Sequence, residues 1–178
     1  MGGNLLDKLA TNLLNSIMKF DKLVKFLLES HEPVMTILAD GTRKWHLNGK
    51  LHREDGPAVE EANGTKEWYQ HGKRHREDGP AVEEIDGTKM WYLNDCAHRE
   101  DGPAIEWKDG SKTWYINGEL HREDGPAYEG ADGTKKYWIN GNLLTSKEFD
   151  EYIKKKNFKQ QMSQRDDKMF DDDFLAEF

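Results

Sequence analysis

The segment His-Arg-Glu-Asp-Gly-Pro-Ala at residues 52–58 decides the fold, because it returns unchanged at residues 75–81, 98–104 and 121–127. A second mark, Asp-Gly-Thr or a close variant, keeps the same period of 23 residues and begins at residues 40, 63, 86, 109 and 132. A fixed period without insertions is typical of repeat proteins, in which each unit packs only on its neighbours. The sequence therefore predicts five stacked units.

Each unit has the pattern of a β-hairpin. Its opening Asp-Gly or Asn-Gly predicts a tight turn, and residues 66–70 illustrate the aromatic, alternating strand that follows. A second turn comes at Asn48-Gly49 and its equivalents, and a proline marks the start of a second strand such as residues 58–61. We predict a mainly β fold, a single-layer twisted antiparallel ribbon of about ten strands. Whether the Leu51-His52-Arg53 stretch adds a short strand stays open.

An apolar stripe predicts a helix over residues 4–30. Its members recur every three or four positions: Leu5, Leu9, Leu13, Ile17, Phe20, Val24 and Leu27. We expect this helix to cap one end of the sheet, as the ends of repeat arrays require. Pairing with a second copy of the chain and binding to a membrane surface are the two alternatives.

The C-terminal flank begins with a capping box. Thr145-Ser146-Lys147-Glu148 predicts a helix from Ser146 to about Gln160. Its inner side is expected to carry Phe149, Tyr152, Ile153 and Lys156, and to cover the other end of the sheet. The predicted organisation is a helical cap (1–36), five repeats (37–144), a helix (145–161) and an acidic-aromatic tail (162–178).

Stacking of identical units aligns equivalent aromatic residues into two columns on opposite faces. We predict that the first column forms the core with Leu47, Leu93, Ile116 and Ile139; its members are Trp45, Trp68, Trp91, Trp114 and Tyr137. The second column is either a structural ladder or a recognition surface. Its candidate partner-binding residues are Tyr69, Tyr92, Tyr115 and Trp138.

The repeated histidines and carboxylates do not indicate catalysis. Equivalent histidines two strands apart lie about 9–10 Å from each other, too far to share one zinc ion. The four Arg-Glu-Asp turns are near-identical, whereas an enzyme needs one distinctive site. We therefore predict no catalytic residue, no metal and no cofactor, and interpret the turns as Arg–carboxylate contacts and the histidines as packing or turn-bonding groups.

Composition narrows the choice of partner. The net charge of −8 argues against direct binding of nucleic acid and of anionic membranes, and favours a protein partner with a basic surface. A single cysteine, Cys96, fits a reducing compartment, and no apolar run is long enough to span a membrane. We expect a cytoplasmic protein.

The last residues combine carboxylates with large apolar side chains. Residues 169–178 resemble two docking peptides: the acidic, Phe-terminated tip of bacterial single-stranded-DNA-binding proteins, and the Asp-Phe-Leu end by which some phage replication proteins grip a sliding clamp. The candidate docking residues are Phe170, Asp172, Asp173, Phe174, Leu175 and Phe178. A disordered tail, or one that folds back on the domain, is the alternative.

The pattern Asp-Gly-Thr-Lys-x-Trp-Tyr-x-Asn-Gly-x-Leu-His over residues 40–141 resembles the MORN-type repeat, in its divergent bacterial and phage variety. His-Arg-Glu-Asp-Gly-Pro-Ala departs from the His-Gly-x-Gly of that family. The resemblance implies β-hairpin units and a role in scaffolding or binding, without catalysis. We expect a phage-encoded protein that binds and inhibits a host defence or nucleic-acid-processing protein, in the host cytoplasm. The alternatives are an assembly protein that forms a homodimer through its N-terminal helix and a replication adaptor that docks by its tail.

Overall fold

The computed structural model describes residues 5–28 and 32–175. Within the helices, side chains are described at positions 9, 12–22 and 24 near the N-terminus and as far as Gln164 near the C-terminus. Over these ranges the fold is mainly β, with one 12-stranded antiparallel sheet, three two-stranded sheets, and a helix at each end of the repeats. The fold class predicted from the repeat is therefore confirmed.

Two helices flank eighteen short strands in the described ranges. Helix α1 spans Leu5–Leu28 and helix α2 spans Ser146–Leu175. The strands in chain order are β1 Val34–Ile37, β2 Arg43–Leu47, β3 Lys50–Leu51, β4 Val59–Glu60, β5 Lys66–Glu67, β6 Tyr69–Gln70, β7 Lys73–Arg74, β8 Val82–Glu83, β9 Lys89–Met90, β10 Tyr92–Leu93, β11 Cys96–Ala97, β12 Ile105–Glu106, β13 Lys112–Thr113, β14 Tyr115–Ile116, β15 Glu119–Leu120, β16 Tyr128–Glu129, β17 Lys135–Ile139 and β18 Asn142–Leu144.

Each interior unit contributes two strands to the large sheet and one hairpin beside it. The order of the large sheet is β1-β2-β4-β5-β8-β9-β12-β13-β16-β17-β18, with β3 paired to β2. The strands left out of this order form the hairpins β6–β7, β10–β11 and β14–β15. The Leu-His-Arg stretch thus does begin with an extra short strand, which settles the point left open by the sequence.

The hairpin turns depend on residues that tolerate positive φ. Asn48 and Gly49 have φ of 52° and 74°, a pair of values typical of the two central residues of a type I′ turn. The third hairpin lacks the glycine, and its turn uses Asn94 and Asp95 at φ of 53° and 68°. Asn and Asp are the side chains that adopt this region most readily, so the turn survives.

Successive units are joined by buried hydroxyl groups. The Thr42 hydroxyl accepts a hydrogen bond from the Ala62 backbone N–H at 3.3 Å, and the Thr65 hydroxyl accepts one from Ile85 at 3.3 Å. Thr88 and Ser111 repeat the contact one unit further along. The third residue of each of the first four Asp-Gly-Thr motifs therefore links its own turn to the turn of the next unit.

The core is thin, and its most buried row is alanine. Ala58 and its equivalents in the next three units, Ala81, Ala104 and Ala127, are fully buried, next to the buried Val59, Val82 and Ile105. The tryptophans predicted as the core are only half-buried. An arginine guanidinium lies about 4 Å from the centroid of each of the four indoles and covers one face of the ring.

One face of the large sheet, here called the charged face, carries an alternating ladder of charges. Glu60 lies directly between Arg43 and Lys66 of the neighbouring strands. The ladder continues as Glu83, Lys89, Glu106, Lys112, Glu129 and Lys135. Opposite charges directly across a strand pair stabilise a sheet by about 0.2–1 kcal/mol each.

Helix α2 begins as predicted and runs further than predicted. The Thr145 N–H donates to the Glu148 carboxylate at 2.8 Å, and the Glu148 N–H donates to the Thr145 hydroxyl at 3.2 Å, which confirms the capping box. The helix then continues to Leu175 through much of the segment predicted as a separate tail. Residues 146–175 contain no glycine or proline to end it.

The two helices differ in their contacts. Phe149 of α2 is buried, with its ring 4.8 Å from that of Tyr137, and Tyr152, Ile153 and Lys156 are half-buried as predicted. The described apolar side chains on the predicted stripe of α1 are exposed, except for the half-buried Val24. Neither helix has a window apolar enough to cross a membrane over the positions described.

Candidate interaction surfaces

The four predicted partner-binding aromatics lie on the face opposite the charged face. We call this the groove face, and the four residues the Tyr row: Tyr69, Tyr92, Tyr115 and Trp138. The Tyr69 hydroxyl donates to the Glu67 carboxylate at 2.8 Å, and Glu67 stands directly across from the buried Val59. All four side chains are half-buried, so one part of each ring packs on the sheet and another part is free for contact.

Burial also affects the ionisation of this row. Loss of solvent, followed by the hydrogen bond to the Glu67 carboxylate, raises the pKa of Tyr69 above its ordinary value of 10.0. Loss of solvent, followed by the proximity of Tyr92, raises the pKa of Tyr115. Both phenols therefore stay protonated at neutral pH, and the row presents neutral rings that can also donate hydrogen bonds.

A guanidinium group already occupies one gap of the Tyr row. The Arg74 side chain lies between Tyr69 and Tyr92, with its central carbon 6.0 Å and 5.5 Å from the two ring centroids. Its Nε lies 3.4 Å from the Glu67 carboxylate. A cation within about 6 Å of an aromatic centroid is attracted to the ring face by about 0.5–2 kcal/mol.

The next gap is lined by Tyr92 and Tyr115, has Met90 in the place of Glu67, and holds no arginine. Ala97 stands where Arg74 stands one unit earlier, between Tyr92 and Tyr115. The backbone connections match, since the Asp95 N–H donates to the Arg74 carbonyl at 2.9 Å and the Gly118 N–H donates to the Ala97 carbonyl at 2.9 Å. Rings one unit apart are separated by about 9.6 Å of sheet, which leaves room for one planar group above the alanine methyl.

The groove face also has a cavity near its C-terminal end. A cavity of about 360 Å³ opens there between Tyr115, Leu120, Tyr128 and Trp138. Trp107 closes its outer side, with the indole N–H donating to the Thr113 hydroxyl at 3.3 Å. Trp107 was not predicted as a site residue; it replaces the glutamate found at this position in the two preceding units, and this departure from the repeat was the available signal.

The charged face holds the four Arg-Glu-Asp turns, and they are structural as predicted. Arg53 lies over the Trp45 ring at 4.1 Å, while its Nε donates to the Asp55 carboxylate at 2.8 Å. The other three units repeat both contacts, with Arg76, Arg99 and Arg122 at 3.9–4.0 Å from Trp68, Trp91 and Trp114. The hydrogen bond from Arg53 holds the pKa of Asp55 below its ordinary 3.8, so the pair is ionised at neutral pH.

The repeated histidines bond to turn backbones, which confirms their predicted structural role. The Nδ1 atoms of His52, His98 and His121 each accept a hydrogen bond of 3.1 Å from a backbone N–H of the next hairpin turn. His75 faces the altered Asn94-Asp95 turn, and its Nδ1 is buried without a hydrogen-bond partner. No group of three metal-ligating side chains occurs among the described residues.

The same turns expose a row of carboxylates. The side chains of Glu54, Glu77 and Glu100 are 84–85% exposed. Glu123, their equivalent in the last copy, is only 36% exposed because Tyr152 and Lys156 of α2 contact its carboxylate. One edge of the array is therefore acidic, up to the point where α2 covers it.

The predicted tail residues lie at the end of α2 or beyond the described residues. Phe170, Asp172, Asp173, Phe174 and Leu175 lie in the last turns of α2, where the backbone is helical and the side chains are outside the described set. Phe178 lies outside the described residues altogether. The structure therefore brings together the Tyr row, and docking by the tail stays a prediction.

No protein-family model matches the chain, and no curated protein matches it in sequence.

Proposed function

We propose that this chain is a non-catalytic protein-interaction module whose Tyr row binds basic side chains of a partner protein. The observation that carries the proposal is Arg74, whose guanidinium lies between Tyr69 and Tyr92. The chain itself thus provides an example of a group that fits this row. The neighbouring gap above Ala97 has similar aromatic walls and can receive the same group from outside.

The electrostatics favour such a partner over a neutral or acidic one. The chain has a net charge of −8, and its turn carboxylates stand exposed along one edge. A negative field of this kind increases the encounter rate with positively charged proteins. Each guanidinium held over an aromatic ring then adds about 0.5–2 kcal/mol, so several contacts along the row are needed for a stable complex.

The class of target follows from that chemistry and from the MORN-type resemblance. Enzymes that process nucleic acids carry basic surfaces, because they neutralise phosphates. We propose that the chain is phage-encoded, acts in the host cytoplasm, and inhibits a host defence or nucleic-acid-processing protein by covering such a surface. Direct binding of nucleic acid by this acidic chain is not part of the proposal.

The test places an arginine of the chain itself in the gap above Ala97. Ala97→Arg places a guanidinium where Arg74 has one in the preceding unit, so the fold tolerates it and the gap closes. Cys96→Arg is the matched control, because it adds the same charge one residue away on the opposite face. Lys50 and Lys73 occupy the equivalent position in other units, so a long basic side chain fits there.

Partners captured from a bacterial lysate by the full chain are identified by mass spectrometry, and the affinity of each purified partner is measured by calorimetry. We expect Ala97→Arg to weaken binding about tenfold or more, a change of about 1.4 kcal/mol, and Cys96→Arg to change it far less. Equal affinity of the wild type and Ala97→Arg for every captured partner would remove the Tyr row from the interaction.

A further inference from the structure

The first strand of the large sheet is an open and uncharged edge. Within the part of the chain that the structure describes, strand β1 pairs only with β2 and ends the order of the sheet. Its sequence, Val34-Met35-Thr36-Ile37, has no charge and no proline, the features that natural proteins use to block edge strands. An edge of this kind presents unpaired N–H and C=O groups to another chain.

The apolar character of this edge is specific to the first unit. Ile37 and Leu38 occupy positions that hold glutamate in the next two units, namely Glu60 and Glu61, then Glu83 and Glu84. Both are exposed, as are Val34 and Met35. At the Ile37 position the change is confined to the end at which the sheet is open, because every later unit carries glutamate there, whereas the Leu38 position also holds an apolar residue at Trp107.

Helix α1 precedes this strand in the chain and adds further exposed apolar surface. Residues 9–18 contain no charged side chain. Six large apolar side chains of α1 are exposed: Leu9, Leu13, Leu14, Ile17, Met18 and Phe20. The lysines of α1 lie outside this stretch, and the net charge of −8 opposes binding to an anionic membrane, so a protein surface is favoured as the partner of the stripe.

We propose that a second copy of this chain covers the N-terminal end, with β1 pairing antiparallel to β1 of the other copy across a two-fold axis. Such pairing, centred on Thr36, places Met35 opposite Ile37 and Val34 opposite Leu38, so that no charges are opposed. The apolar stripe of α1 is buried in the same interface. The large sheet then continues from one copy into the other.

The area available is of the order that a dimer requires. Ten apolar side chains at this end are 44–65% exposed. Complete burial of one such side chain removes about 60–120 Å² from water, so ten half-exposed chains offer roughly 300–600 Å² per copy. A pair of copies therefore buries roughly 600–1,200 Å² of apolar side chain, to which the paired backbones add, against the approximately 1,200 Å² at which stable interfaces begin.

The experiment is sedimentation velocity on the full chain and on two double variants. Ile37→Glu with Leu38→Glu restores the residues that the next two units carry at these positions, so it suits the fold. Leu13→Gln with Ile17→Gln keeps good helix formers in α1. Ile85→Glu is the control, because Ile85 is an exposed apolar residue away from this end.

We expect the wild type to be dimeric at about 50 µM, and both double variants to weaken the association about tenfold or more, while Ile85→Glu leaves it unchanged. Hydrogen exchange of the β1 amides should slow in the wild-type dimer and become fast in Ile37→Glu/Leu38→Glu. A wild type that stays monomeric would overturn the proposal. A monomeric wild type that co-sediments with vesicles of anionic phospholipid would overturn it as well. Unchanged association of the β1 variant would overturn it equally. None of these outcomes bears on the Tyr row, which the Ala97→Arg experiment tests separately.

Discussion

The two ends of the repeat array differ in how their terminal strands are covered. At the C-terminal end, α2 places Phe149 against Tyr137 and brings Tyr152 and Lys156 to Glu123. At the N-terminal end, β1 is an open edge, and the described large apolar side chains on the stripe of α1, Val24 excepted, are exposed. A stack of identical units must protect both of its terminal faces, yet among the described residues only the C-terminal face is covered from within the chain.

This difference shows which contacts stabilise each helix. Helix α2 has a hydrogen-bonded start and a buried anchor, so contacts within the chain hold it in place. Most helical stability in proteins comes from packing of an apolar face. Helix α1 therefore needs a surface beyond its own described contacts, and the second copy proposed above is one that supplies it.

The largest effect is expected from removal of the anchor of α2. Phe149→Ala leaves a cavity beside Tyr137 and should lower the free energy of unfolding by about 3 kcal/mol, measured by urea denaturation. Phe158→Ala on the same helix is the control, because Phe158 is 62% exposed against 7% for Phe149. That control is expected to change stability by less than about 0.5 kcal/mol. Similar losses in both variants would mean that α2 does not cover the sheet through Phe149.

A smaller effect is expected where α2 meets the last turn. Glu123→Ala removes the acceptor for Lys156 and Tyr152, and for a partly buried ion pair we expect a loss of about 0.5–1 kcal/mol. Glu77→Ala removes the equivalent carboxylate of an interior unit, which is 84% exposed and has no helix beside it. That variant should leave the free energy of unfolding unchanged. An equal loss in both variants would show that the turn itself, rather than the cover provided by α2, uses this glutamate.

The repeat made much of this structure predictable. Fixed spacing placed the turns, the two strands of each unit and the Arg–carboxylate contacts, and the capping box placed the start of α2, because each of these depends on local residue types. The packing of the Trp column was harder to foresee. Trp45 is predicted as core from its size, but the structure places Arg53 over its ring, a contact that depends on where a later turn folds.

The candidate site on the groove face could be predicted only in part from the sequence, because some of its features depend on how the hairpins pair. The Tyr row follows from alternation along a strand, so all four members could be named. The occupant of one gap, Arg74, and the empty position at Ala97 follow from pairing between hairpins, which the period alone does not show. The open N-terminal edge is likewise a property of the assembled sheet. Comparison of Ile37 and Leu38 with the glutamates of the next two units was the one sequence signal that pointed to it.

The smallest effect on the free energy of unfolding is expected from substitutions in the apolar stripe of α1. This effect shows most directly whether the two ends of the array differ in how they are covered. Leu13→Gln with Ile17→Gln should change the free energy of unfolding by less than about 0.5 kcal/mol at low chain concentration, since both side chains are already exposed. At high concentration the wild type should become more stable through self-association, and the variant should not. Urea denaturation across a range of concentrations separates the two regimes. A loss above about 2 kcal/mol at the lowest concentration would mean that the stripe packs on its own sheet, and that both ends of the array are covered from within the chain.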